Sequence, residues 1–137
     1  MAGHNLSITD HGNGSYNCLI QHGNPKHLLN VHLDTVPAGD GWETDPFKLY
    51  QDNDVVHGLG ACDIKGAAAV LLSLIESYDS EYAILFSTDE EAGNSTCIKK
   101  FLEVDHPYEG IIVAEPTNNL AVTCHRGIFT GTKKFKG

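Results

Sequence analysis

Four places along this sequence carry ionisable side chains whose types and spacing could do chemistry. His32 and Asp34 stand two residues apart at the end of the alternating segment His27-Leu-Leu-Asn-Val-His-Leu33, and the period of two turns both to one face of a strand. Asp63 sits within Gly60-Ala-Cys-Asp-Ile-Lys-Gly66, Asp89, Glu90 and Glu91 directly follow Phe86-Ser-Thr88, and Glu115 directly follows Ile111-Ile-Val-Ala114. One imidazole and several carboxylates, with no thiolate among them, form the nitrogen and oxygen donor set of a catalytic Zn²⁺, Co²⁺ or Mn²⁺ rather than of a structural zinc. Like charges gathered in one crevice repel one another unless something cationic neutralises them, and a pair of divalent ions would do so. A metal-bound imidazole is usually held through its other ring nitrogen, so Asp34 is suited to orient His32. Glu90 and Glu91 diverge as chain neighbours, which lets one ligate while the other stays free as a base.

Each of these residues also has a plainer reading. His32 alone reads as a satisfied core histidine, Asp63 as the cap of the helix that follows it, Glu90 and Glu91 as a solvated turn, and Glu115-Pro-Thr117 as an ordinary strand exit. Arg126, the only arginine, reads either as a grip on a substrate carboxylate or as an interdomain contact. Trp42, Phe47 and Tyr50 read as packing for a long loop rather than as a binding platform.

The elements that must position these groups follow from periodicity. Residues 6–10 and 16–21 flank His11-Gly-Asn-Gly-Ser15 as a hairpin. Residues 27–33 form a third strand, and residues 37–60 form a polar excursion with a short strand near 54–57, long enough to suggest function. Residues 65–78 read as a helix whose apolar face holds Ala67, Val70, Leu71, Leu74 and Tyr78 or their neighbours. Residues 82–86 and 110–114 are continuous apolar runs, suited to strands covered on both faces. A second helix is predicted over 95–103, and two last strands over 120–124 and 127–135. Alternating strands and helices argue a three-layer αβα domain of the α/β class, and in such sheets the carboxyl ends of the strands form the ligand crevice. Each acidic cluster falls at such an end.

Eighteen acids against nine bases give a net charge of −9, and residues 1–115 hold all the acids. Nucleic acid is a poor partner for that surface. The longest apolar run, six residues over 67–72, is far short of the roughly 20 that span a bilayer, so no membrane partner is expected. The N-terminus has no signal-peptide pattern, which predicts a cytoplasmic protein. Cys18, Cys62, Cys97 and Cys124 make no C-x-x-C pair and are expected to be free thiols packed as small apolar groups. Gly58-Leu-Gly-Ala-Cys imitates a dinucleotide fingerprint, yet Asp63 takes its third glycine position and would repel a pyrophosphate.

Four stretches in order, Val31-His-Leu-Asp-Thr-Val-Pro37, Gly58-Leu-Gly-Ala-Cys-Asp-Ile-Lys-Gly66, Ser87-Thr-Asp-Glu-Glu-Ala-Gly93 and Ala114-Glu-Pro-Thr117, resemble the metal-site motifs of the M20 family of dinuclear zinc peptidases and amidohydrolases. The likeness is nearest to its deacetylases of N-acetylornithine and N-acetylcitrulline. The resemblance implies the catalytic domain of the dinuclear-zinc exopeptidase type and two divalent ions, zinc with cobalt or manganese as substitutes. His32 and Glu115 would bind one ion, Asp63 would bridge both, and Glu91 would bind the second. Asp34 would orient His32, Glu90 would be the general acid/base, and the Asp63–Ile64 peptide bond would be cis. The implied reaction is removal of an acyl group from a small N-acyl amino acid, in arginine biosynthesis. A desuccinylase, dipeptidase or carboxypeptidase of the same family, or a non-catalytic scaffold, are the alternatives. By the same resemblance the chain is the N-terminal part of the catalytic domain. The lid or dimerisation domain of a homodimer and a further histidine ligand lie beyond it, so the chain alone is expected to be inactive or nearly so.

Overall fold

In a computed structural model, residues 3–77, 79–93, 95–124, 126–127 and 131–135 are described. The chain opens with a hairpin of β1 (Asn5–Asp10) and β2 (Tyr16–His22), paired Asp10 to Tyr16 across the turn. That turn is built where the sequence signals it: Gly12, Asn13 and Gly14 all have positive φ, and Asp10 Oδ1 accepts the Gly12 N–H at 2.7 Å. Next come β3 (His27–His32), the small hairpin of β4 (Tyr50–Asp52) and β5 (Val55–His57), α1 (Gly66–Ser77), β6 (Tyr82–Ser87), α2 (Thr96–Leu102) and β7 (Gly110–Val113).

Five strands form one mixed sheet in the order β1-β2-β6-β3-β7, with β6, β3 and β7 mutually parallel and β2 antiparallel to β6. The chain steps from β3 to β6 in one direction through α1, then back across β3 to β7 through α2. Right-handed crossovers therefore put the two helices on opposite faces of the sheet. The core records this. Val31, Ile84 and Phe86 pack with Ile64, Ala68 and Leu71 on the α1 side. Leu28, Ala83 and Leu85 pack with Tyr108, Ile98 and Phe101 on the α2 side. Residues of alternate parity on β3 and β6 thus serve opposite layers, and the expected αβα arrangement is present.

Several expectations change. The buried stripe of α1 is Ala68 and Leu71, continued by Ile64 and Ile75, while Val70 and Leu74 are exposed; Tyr78 lies outside the described residues. β6 is covered on both faces as predicted, but β7 is a sheet edge whose Ile111, Ile112 and Val113 are exposed, because neither helix reaches over it. Residues 120–124 form no strand. They alternate in sequence, yet a strand also needs a neighbour to pair its amides, and Leu120 and Val122 stand exposed. Of the predicted strand 127–135, residues 128–130 lie outside the described residues and the described remainder is irregular. Of the aromatic residues expected to pack the loop, Tyr50 does contact the His57 ring, with centroids 5.7 Å apart, while Trp42 and Phe47 stand exposed; Trp42, Tyr50 and His57 help wall an open cavity of about 520 Å³. The cysteines are free, but only Cys97 is buried and Cys18 half-buried, with Cys62 and Cys124 exposed. Among the described residues no helix is long and apolar enough to cross a membrane.

Candidate metal centre

The parallel strands β3, β6 and β7 end at the same edge of the sheet, and the chemistry-bearing residues lie just past those ends. His32 is the last residue of β3 and is 3% exposed. Its ring is set by the backbone two residues on: His32 Nδ1 lies 2.9 Å from the main-chain oxygen of Asp34. A carbonyl oxygen only accepts, so Nδ1 is the donor there, and Nε2 is the ring nitrogen turned to the carboxylates. Nε2 faces Glu115 Oε1 at 3.5 Å and Asp63 Oδ1 at 3.9 Å.

Carboxylates gathered around one ring nitrogen repel one another unless a positive charge lies among them. The separations suit such a charge, because donors about 2.1 Å from a tetrahedral Zn²⁺ lie roughly 3.4 Å from one another. One ligating atom each from His32, Asp63 and Glu115 falls within a 4.8 Å span, and so does one each from His32, Glu90 and Glu91. The nitrogen and oxygen donors present therefore fit divalent zinc, cobalt or manganese. His32 is common to both groups, whereas Asp63 and Glu91 fall in different ones.

Asp63 is exposed and lies in a wide turn over Ala61–Lys65, where it is extended (φ −121°, ψ 91°) and followed by a cis bond to Ile64. The turn begins at Gly60, whose φ is +79°; a Cβ there would stand 2.6 Å from Thr35 Cγ2, so only glycine fits. Ile64 is buried against α1 and the sheet, which anchors Asp63 while leaving its carboxylate free. Glu115 follows β7 by two residues, and the Ala114 N–H is fixed to Asn30 O at 2.9 Å. Burial raises the Glu115 carboxyl above its ordinary value; His32 pulls it back, and the charges of Asp63, Glu90 and Glu91 push it up.

The Asp34 carboxylate has a different main partner from the one its spacing suggested. Its Oδ1 is 3.5 Å from His32 Nδ1, but the carboxylate accepts the Glu90 N–H at 3.2 Å and the Glu91 N–H at 2.8 Å. Asp34 thus holds His32 through its carbonyl and ties the Glu90–Glu91 backbone to β3 through its side chain. Asp89, which begins the acidic run that continues with Glu90 and Glu91, is 5% exposed. Burial alone would raise its carboxyl, yet hydrogen bonds from Cys97, Ser15 and Thr96 hold it below the usual aspartate value. The signal available for it was an aspartate between a buried strand and a helix lacking an acidic first turn. Arg126 is exposed, and His125 beside it lies outside the described residues.

The sequence pattern of Peptidase family M20/M25/M40 matches residues 28–127. N-acetyl-L-citrulline deacetylase of Xanthomonas campestris pv. campestris is 45% identical over 137 residues, which is all of this chain and 37% of that protein. Acetylornithine deacetylase of Buchnera aphidicola subsp. Acyrthosiphon pisum is 35% identical over 89% of this chain and 34% of its own length. Succinyl-diaminopimelate desuccinylase of a Nitratiruptor species is 29% identical over 83% of this chain and 34% of its own length. The chain spans little more than a third of these curated relatives.

Proposed function

The chain belongs to peptidase family M20/M25/M40, and from that premise we propose that it carries the metal-binding and proton-transfer residues of an amide hydrolase acting on a small N-acyl amino acid. The observation that carries this reading is that His32 falls in one close group of ligating atoms with Asp63 and Glu115 and in another with Glu90 and Glu91. His32, Asp63, Glu115 and Glu91 are the proposed ligands of two ions, zinc first, with Asp63 as the bridge. Bound there, such ions supply Lewis acidity and draw the pKa of a water towards about 7.

Glu90 is the proposed general acid/base. Its carboxylate takes the proton of the attacking water and returns it to the nitrogen of the leaving amine. Asp34 fixes the Glu90 main chain relative to His32, so base and ligand are held on one frame. Arg126 is the candidate for holding the substrate carboxylate. The 45% identity to an N-acetylcitrulline deacetylase favours an acetylated amino acid of the arginine pathway, cleaved by a cytoplasmic homodimer of which this chain is the N-terminal catalytic part. Removal of a succinyl group is the second reading, favoured by the desuccinylase likeness.

The test is zinc titration of the chain, then turnover of N-acetylcitrulline, N-acetylornithine and N-succinyl-diaminopimelate by the longer protein containing it. Glu90→Gln is expected to keep zinc stoichiometry and to lose at least about 100-fold in kcat. Full turnover by that variant overturns the assignment.

A further inference from the structure

α2 begins in an unusual way. Ser95, a residue type that ordinarily caps a helix with its own hydroxyl, sits at the N-cap position in the left-handed region (φ +45°) and makes no side-chain cap bond. The cap comes from six residues upstream. Asp89 Oδ2 accepts the Thr96 N–H at 2.7 Å, and both its carboxylate oxygens lie 3.2 Å from the Cys97 amide nitrogen. Its main-chain oxygen accepts the Ser95 N–H at 3.2 Å. Asp89 therefore closes the segment from 89 to 97 on itself, by side chain and main chain together.

Both ends of that closed loop are anchored. Thr88 Oγ1 accepts the Tyr16 N–H at 2.8 Å and donates to Gly14 O at 3.2 Å, which ties the loop's start to the β1–β2 turn. Cys97 is fully buried; its Sγ donates to Tyr16 O at 3.1 Å and its carbonyl accepts Asn17 Nδ2 at 2.8 Å, which ties the loop's end to β2. Within the loop, the Gly93 N–H donates to Glu90 O at 3.1 Å, and Asp34 grips the Glu90 and Glu91 amides from β3.

We propose that Asp89 is a positioning residue for the Glu90–Glu91 pair, capping α2 from a distance so that the two glutamates are presented to His32 on a closed, anchored loop. The proposal rests on the reading of Glu91 as a ligand and Glu90 as a base. A local cap by Ser95 would satisfy the same helix amides but would leave the chain between 89 and 95 free to open. The distant cap thus serves the loop rather than the helix. This separates the two roles: in Asp89→Ala, Ser95 is available to replace the lost cap, so stability falls modestly while the loop loses its closure.

The experiment compares the wild-type chain with Asp89→Ala, Asp89→Asn and, as a control on the other sheet face, Leu71→Ala. Two quantities are read: the zinc dissociation constant by calorimetric titration and the hydrogen-exchange rates of the Glu90, Glu91 and Gly93 amides without metal. Asp89→Ala is expected to weaken zinc binding at least about 10-fold, in line with other residues that orient ligands, and to accelerate exchange at those three amides selectively. Asp89→Asn, which keeps one acceptor oxygen, should recover most of both. Leu71→Ala should lower the melting temperature and leave zinc affinity within about twofold, the behaviour of a loss of packing alone. Unchanged zinc affinity in Asp89→Ala overturns the proposal, as does affinity that falls only in proportion to melting temperature. If wild type binds no zinc, or Glu91→Gln binds as wild type does, the ligand reading fails by itself. The metal-free exchange rates then decide whether Asp89 closes the loop, and unselective or unchanged exchange overturns it.

Discussion

Zinc and chelator should move the melting temperature of this chain in a way that single carboxylate substitutions reverse. Without metal, the Asp63/Glu115 and Glu90/Glu91 pairs each hold like charges within 4.8 Å, a repulsion of about 3.5 kcal/mol per pair at an effective dielectric of 20 and about 0.9 in bulk water. The Asp63 and Glu115 side chains are 54% and 40% exposed, so solvent screening favours the smaller figure, or roughly 2 kcal/mol for both pairs. At a free zinc concentration 100 times the dissociation constant, one site stabilises the folded chain by about 2.7 kcal/mol. Unfolding entropy for 137 residues is about 0.29 kcal/mol/K, so that gain corresponds to a rise of about 9 °C. The decisive variant is Glu115→Gln at pH 8. In EDTA it removes one repelling charge and should melt about 3 °C above wild type, whereas in zinc it loses a ligand and should melt below wild type. Scanning calorimetry of both proteins under both conditions gives four melting temperatures, and the two lines should cross. Superimposable wild-type melts in zinc and EDTA would refute the reasoning, and so would an equal rise with Mg²⁺, since that would be screening rather than ligation by a nitrogen-containing set.

Three other outcomes follow from particular residues. Ile84 is 1% exposed at the centre of β6, so Ile84→Ala should cost about 2–5 kcal/mol, read as a lower denaturant midpoint at unchanged slope. Gly60→Ala places a Cβ at φ +79° against Thr35 and should cost at least about 1–2 kcal/mol; because the displaced turn carries Asp63, zinc affinity should fall with it. Among the thiols, Cys62 and Cys124 are exposed and should react with a disulfide reagent at once. Cys97, fully buried and with its thiol raised by burial, should react only at the rate of unfolding. Rapid labelling of Cys97 in the folded chain would contradict the packing of α2 on the sheet.

The fold was legible wherever its cause is local. Alternation placed β1, β2 and β3, and the run Tyr82-Ala-Ile-Leu-Phe86 placed β6, all within one or two residues of the observed ends. What was not legible depends on partners distant in the chain. Gly110-Ile-Ile-Val113 has the composition of a buried strand, yet composition reports what can be buried and not what is there to cover it, and β7 stands at an edge. The same limit applies to residues 120–124, which alternate but have no strand beside them among the described residues. β4 is not legible in the sequence because its three residues are too few to show a period. Its turn, Asn53-Asp54, was the available signal, with Asn53 at φ +51°.

At the site, residue types and their positions at strand ends were legible, but the division of labour among the acids was not. A carboxylate that ligates and one that accepts backbone amides look alike in a sequence, because the amides it accepts lie 56 and 57 residues away for Asp34 and belong to the start of a helix for Asp89. With those two committed to N–H groups, the carboxylates left facing His32 are Asp63, Glu90, Glu91 and Glu115, four negative charges. Two divalent ions bring four positive charges. On the proposed reading the loaded site is neutral in itself, its residual polarity set by Asp34 and Asp89 against the amide dipoles they hold, and the chain's −9 becomes −5. Repulsion within the site is thus confined to the metal-free state, so the acids that make this edge of the sheet costly when empty are the ones that make it bind.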